Sequence, residues 1–464
     1  MRTSTAKGQL SCSQGRFILP LERYIERRSR DFQRYFKKNS TDYHVDGEIG
    51  RFSFEVYSKV DPYGEAFYNT GREFFTPLQG EEKYLTEGFK EVALIYGTTE
   101  ISFRKSAALI NRIRYQENGG TPYSTLNDIT ETEGSEIQNH LNNKSLTIIE
   151  SNHFINEIKT IEAAVDSFIV MPSELESKEI GKIVEGLPIE ESLKPQILNN
   201  PVPYELPGEA VNICLDDVGA KEQKITREKK APEKDDGITT TIKKKRKYVQ
   251  NTVIHVEHKE KFYLLNGYGI FYVLRLLLAF LLHNDLHEKV LVFYIDGHSL
   301  YSKVLQYFSW HKRVIIILDW YHLQKKCAEL LSMALAGRKI RNEVLAKIKS
   351  LLWHGLVDET ISYLSNLPAD KIKNKKEITH LIKYLRKNRP MIPAYSVRKK
   401  VGLGNSSNRG EKANELLVSQ RQKHKGMSWS KSGSVSLASI TALSKNKEHK
   451  RWFQDGEIDF KLAS

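Results

Sequence analysis

Cysteine is scarce in this chain. Cys12, Cys214 and Cys327 stand far apart with no Cys-x-x-Cys pair, which excludes a disulfide framework and a sequence-local zinc knuckle and fits a reducing cytoplasm. Long apolar runs are missing as well. The most apolar stretch, Gly269 to Leu282, is too short for a membrane span, carries Arg275 inside it, and is expected as a buried helix. Met1 to Leu10 holds no apolar segment of the kind a signal peptide needs, so a cytoplasmic protein is expected. Acidic residues also fall short: 57 Asp and Glu face 71 Lys and Arg, a net charge of +14 with a pI near 9.3. Such an excess suits a polyanion binder, because each phosphate neutralised releases counterions. The 464 residues, 40% hydrophobic and 28% charged, otherwise describe an ordinary globular chain with room for several domains.

Residues 1–95 are mixed and aromatic-rich, with Arg23, Arg27, Arg28 and Arg30 expected on the solvated face of a helix. From 96 to 150 the spacing predicts a helical DNA-binding region. Phe103, Ala107, Ala108 and Ile110 recur at helical spacing, Gly119-Gly120 breaks the pattern, and Thr121-Pro122 leads into a second helix opening at Ser124-Thr125-Leu126. In a helix-turn-helix unit, Ser124 and Thr125 would face the major groove. Residues 151–207 have little periodicity and read as a linker.

Beyond 208 the composition shifts to strands. Val211 to Leu215 alternates and runs into Asp216-Asp217; Thr252 to His258 and Phe262 to Leu265 follow; Val290 to Ile295 ends at Asp296-Gly297, and Val314 to Leu318 at Asp319. Three strands, a helix, a strand, a short helix and a strand predict a mixed α/β sheet covered by helices over 208–323. Residues 324–400 read as helical throughout, and 401–464 as a segment completing the core, with a glycine-rich loop from Gly402 to Gly410 and a helix from Glu411. The lysine run Lys243, Lys244, Lys245, Arg246 and Lys247 reads as a contact to DNA phosphates.

Three strands thus end in acids. Each Asp alone is most simply a turn cap, as Asp296-Gly297 easily could be. Gathered at one end of a sheet, they would repel one another and rise in pKa unless cations sat between them. Hard, oxygen-preferring divalent ions resolve that repulsion, and a pair of them can serve phosphodiester displacement.

The order Asp216, Asp296-Gly297, Asp319-Trp320-Tyr321-His322 and Glu411 resembles the Mutator-type bacterial insertion-sequence transposases, as does the run Glu411, Asn414, Arg421, Gly426, Met427, Trp429. The resemblance covers most of 98–455. It implies a ribonuclease-H-like core with an all-α insertion before the last acid, and a bacterial, nucleoid-associated protein. It implies that Asp216, Asp296 and Glu411 bind two Mg²⁺ or Mn²⁺ ions and cut and join double-stranded DNA at element ends, in a homo-oligomeric synaptic complex. Asp319, His322 and Asp217 are expected in support, and Arg421 among the DNA contacts. Asp217 competes with Asp216 for the first place. Asp319 competes with Asp296 for the second, and strand apolarity alone would choose Asp319. A nuclease or resolvase without strand transfer would use the same acids, and a domesticated DNA-binding regulator would need none of them.

Overall fold

The computed structural model describes the chain except residues 1–35, 48–49, 61–66, 70–82, 117–119, 158, 164–173, 224–246, 424–426 and 463–464. The arginine cluster at 23–30 lies outside the described residues. The chain divides into two compact units, one of residues 1–140 with 430–459, the other of 141–429 with 460–464.

The first unit opens with a sheet that the sequence reading did not anticipate. Strands β1 (Phe36–Gly47), β2 (Gly50–Val60), β3 (Phe67–Asn69) and β4 (Lys83–Leu85) lie in the order β3-β2-β1-β4, with β1 antiparallel to β2 and parallel to β4. Helices α1 (Phe103–Ile113) and α2 (Tyr123–Ser151) follow. Ser102 caps α1 by accepting from the Lys105 amide. The turn between them is fastened by Asn111, whose side chain donates to the Thr121 carbonyl at 2.9 Å and accepts from the Thr121 amide at 2.8 Å. The expected helical pair is present, but its second helix runs for 29 residues.

The second unit is built on a five-stranded mixed sheet: β7 (Val211–Lys221), β8 (Tyr248–His258), β9 (Lys261–Gly267), β10 (Leu291–Ile295) and β11 (Val314–Leu318), in the order β11-β10-β7-β8-β9. The first three form an antiparallel meander, and β10 and β11 run parallel to β7. Helices α3 (Ile270–His283) and α4 (His298–Tyr307) make the crossovers. Leu274 and Leu276 to Leu281 of α3 are wholly buried, as a helix apolar nearly all round must be. No described helix is long and apolar enough to cross a membrane.

Residues 151–207 are not a structureless linker. They contain the hairpin β5 (Phe154–Glu157) and β6 (Thr160–Ala163) and helices Ser177–Glu185 and Lys194–Leu198. Val184, Leu187, Ile197 and Tyr204 join a core cluster with Leu356, Ala394 and Val397. The 324–400 region is helical as expected, in α5 (Trp320–Ala334), α6 (Arg338–Trp353), α7 (Val357–Ser365), α8 (Lys375–Asn388) and α9 (Tyr395–Lys400).

The segment 401–464 divides differently from the expectation. Helix α10 (Asn408–Asn414) stays with the mixed sheet, whereas α11 (Lys431–Lys445) and α12 (His449–Asp455) belong to the first unit. Glu131 of α2 accepts from Ser430 and Ser432, both at 2.9 Å. The buried Glu133 accepts from Lys90 and from the Trp452 indole. Gly134 makes the approach possible, since a Cβ there would stand 2.3 Å from the Ser436 Cβ.

Candidate active site

Asp216 does not end its strand. It sits within β7, which continues to Lys221 against β8. Its other flank is different: β10 pairs with β7 only from Val211 to Cys214 and stops at Ile295. The end of β10 therefore leaves Asp216 beside an open edge, with Asp296 as the next residue of the neighbouring strand.

Alternation along β7 separates the two competing acids. Asp217 points to the opposite face from Asp216, is exposed, and accepts from its cross-strand neighbour Thr252 at 2.5 Å. Asp216 shares its face with Cys214, and on that face lies α10. The helix approaches so closely that a Cβ on Gly410 would stand 2.8 Å from the Cys214 Cβ. That contact brings Asn414, one turn beyond Glu411, to Asp216, and its side-chain amide donates to the carboxylate at 2.5 Å. The Asp217 backbone amide donates to the other oxygen at 2.8 Å. Glu411 itself is exposed.

Asp319 caps α5 and is 1% exposed. Its Oδ1 accepts from the His322 amide at 2.7 Å and lies 3.0 Å from His322 Nδ1; its Oδ2 accepts from the Ser407 amide at 2.5 Å and the Ser407 hydroxyl at 3.1 Å. The carboxylate is fully engaged in holding α5 to the loop ahead of α10. The far nitrogen of His322 stands 4.0 Å from a Glu411 oxygen. Behind this loop, Arg398 makes a buried double contact with Glu205 at 2.7 and 2.6 Å and donates to the Gly404 carbonyl at 3.0 Å.

The electrostatics follow from this packing. Burial, and next the charge of Asp296, push Asp216 up to about 6. Burial also pulls Asp319 toward protonation, but the bonds from His322 and Ser407 outweigh it and hold the acid below its usual range. The hydrogen bond to Asp319 raises His322 above the ordinary imidazole value against partial burial, with Asp296 and Glu411 adding to the rise.

Asp216, Asp296, Glu411 and His322 thus share one electrostatic neighbourhood, with Asp319 beneath it. Among the described residues, no three His, Cys, Asp or Glu side chains stand together as a ready-made ion cage. The donor set nonetheless suits a hard cation that takes one or two carboxylates and completes its shell with water and phosphate oxygens. Asp216 and Asp296 are two oxygen donors in mutual repulsion, and the buried Oδ1 of Asn414 beside them accepts no hydrogen bond.

The other expected contacts fare differently. Ser124 is exposed and Thr125 half-buried in the first turn of α2. Lys243, Lys244, Lys245 and Arg246 lie outside the described residues, and Lys247 is exposed just ahead of β8. Arg421 has to be corrected as a DNA contact. It is buried, its guanidinium lies 5.1 Å from the centre of the Trp429 ring and donates to the Met427 sulfur, and loss of hydration lowers it to about 10. Met427 and Trp429 of the motif therefore pack around Arg421. Asn414 and Gly410 carry local signals, one helical turn after Glu411 and immediately before it. Ser407 and the Glu205–Arg398 pair carry none, being distant in sequence from the groups they hold.

Residues 272–457, from within α3 to just past α12, match a family described as Uncharacterised protein family (UPF0236). No curated protein matches the chain. The matched stretch contains Asp296, Asp319, His322 and Glu411, while Asp216 precedes it.

Proposed function

We propose that the chain is a DDE-type transposase that cuts and joins double-stranded DNA at the ends of an insertion sequence, on a ribonuclease-H-like sheet. The observation that carries this reading is Asp216, raised to about 6 by burial and next by the charge of Asp296, and bonded by Asn414 one helical turn beyond Glu411. A meander of three strands followed by two parallel ones, with acids where β10 and β11 end, supports the core assignment. The basic charge and the motif order agree with it, and the matched family names no activity.

Asp216, Asp296 and Glu411 would together hold two Mg²⁺ or Mn²⁺ ions. Bound there, such ions activate the attacking oxygen and stabilise the leaving one. Asn414 keeps the Asp216 carboxylate turned toward α10. His322, tied to Asp319 and charged more readily than an ordinary histidine, faces the same acids and can donate to a phosphate oxygen. No Ser or Tyr nucleophile is required, because water and then a DNA 3′-hydroxyl attack directly.

The test begins with the DNA flanking the gene, where short inverted repeats are expected close outside the reading frame. On that DNA, Asp296→Asn should bind as the unaltered chain does and show no metal-dependent cleavage. Cleavage at the original rate would remove Asp296 from the site. Recovery of joined as well as cut products separates a transposase from a nuclease with the same acids.

A further inference from the structure

The net charge is not spread over the molecule. Residues 324–400 contain 18 Lys and Arg against six Asp and Glu, so this helical segment carries twelve of the chain's fourteen net positive charges. We infer that the segment is the main phosphate-backbone platform for duplex DNA. The inference rests on the reading of the chain as a DNA-cutting enzyme and says where the duplex lies.

The segment is fastened to the site at both ends. It leaves the sheet through Asp319 and His322 at the start of α5, and it returns from Lys399 and Lys400 into the loop whose Ser407 donates to Asp319. Lys325, one turn beyond Tyr321, is exposed, as are Lys399 and Lys400. On α8, which packs against α5, Lys376, Lys383 and Lys387 are exposed at spacings of seven and four residues and form one stripe. The stripe is about 16 Å long at about 1.5 Å per residue. The one acid of α8, Glu377, lies off the stripe and is paired with His380 at 3.2 Å. Among the described residues, ion pairs occupy Lys326, Arg389 and Arg398 of this segment.

The chemistry selects a nucleic acid over a lipid surface. A basic helix that binds membranes buries an apolar face among acyl chains. Here Met333 is the sole exposed large apolar side chain between 324 and 400. A surface of cations without an apolar anchor fits a polyanion whose charge lies on its outside, which is the duplex backbone.

The experiment measures binding of the full chain to a labelled duplex of arbitrary sequence across a salt series. The variant K376Q/K383Q/K387Q is compared with the unaltered chain and with K376R/K383R/K387R. Each phosphate contact contributes roughly 0.9 to the slope of log affinity against log salt, so the glutamine variant should lose about 2.7 of it. The arginine variant should keep it. A glutamine variant with the full slope overturns the inference, and duplex binding by the unaltered chain then leaves the enzyme reading standing. A slope that the arginine variant fails to restore also overturns it, since charge is then not the cause. An unaltered chain without salt-dependent duplex binding overturns both.

Discussion

At the scale of single residues, Asp319 and Asp216 are both acids near His322, one buried and one half-buried, and their surroundings push them in opposite directions. Asp319 takes its bonds from His322 and Ser407 and is held low, whereas Asp216 is half-buried beside Asp296 and is raised to about 6. Asp319→Asn should therefore cost about 10–100-fold in activity without abolishing it, as the loss of a group that orients others typically does. The same change should lower the His322 pKa, read from its ring-proton shifts in an NMR titration; an unmoved titration would mean that Asp319 does not govern the imidazole. The signs of the stability effects follow from linkage. For Asp319 the folded value is depressed, so its contribution is present above the ordinary carboxylate range and lost as pH falls through the depressed value. For His322 the folded value is raised, so its contribution is full below the ordinary imidazole value and lost as pH rises through the raised one. Asp216 is the reverse of Asp319: its folded value is raised, so stability falls as pH rises from the ordinary carboxylate value of 3.8 to about 6. Asp216→Asn should consequently raise the melting temperature of the metal-free chain at about pH 8 and leave it little changed at about pH 3, below both values. Added Mg²⁺ should raise the melting temperature of the unaltered chain more than that of the variant. Equal responses to Mg²⁺ would separate Asp216 from ion binding.

At the scale of elements, the site depends on how closely α10 lies on β7. Gly410→Ala would place a methyl group 2.8 Å from the Cys214 Cβ, an overpacking that typically costs about 1–3 kcal/mol. Because α10 carries Glu411 and Asn414, cleavage should fall further than the lost stability accounts for; cleavage that merely follows the folded fraction would show that the approach is not needed. Arg398→Met should cost about 3–5 kcal/mol by leaving the Glu205 carboxylate buried and unpaired, while pairing it with Glu205→Leu should recover most of the loss. Denaturant titration of the single and double variants reads this directly. These elements also show what the sequence could convey. Strands β10 and β11 are uninterrupted apolar runs and were readable as such, as were the helices of 324–400 from their periodicity. The extension of β7 past Asp216 was hidden, because Asp217, Gly219 and Lys221 have no strand character of their own and are held by pairing with β8. Strands β1 and β2 were hidden for a similar reason, since Lys, Ser, Thr and Asp interrupt them. Asp216 and Asp217 were indistinguishable as neighbours in sequence and separate cleanly once α10 identifies the occupied face.

At the scale of the whole molecule, the partner of α11 and α12 was not legible in the sequence. Their attachment to α2 depends on Glu131, Glu133 and Gly134, almost three hundred residues earlier in the chain. Charge behaves in the same way: the total of +14 pointed to a polyanion, while its concentration in 324–400 became meaningful only when both ends of that segment were seen to be tied to Asp319. The central claim joins three acids, from β7, the end of β10 and α10, in one reaction. Its most direct test is strand joining in Mg²⁺ with pre-cut element ends and a target plasmid, comparing the unaltered chain with Asp216→Asn, Asp296→Asn and Glu411→Gln. The account predicts joined products from the unaltered chain alone, none from an end lacking its 3′-hydroxyl, and continued end binding by all three variants. Joining at the original level by any one of the three variants would contradict it.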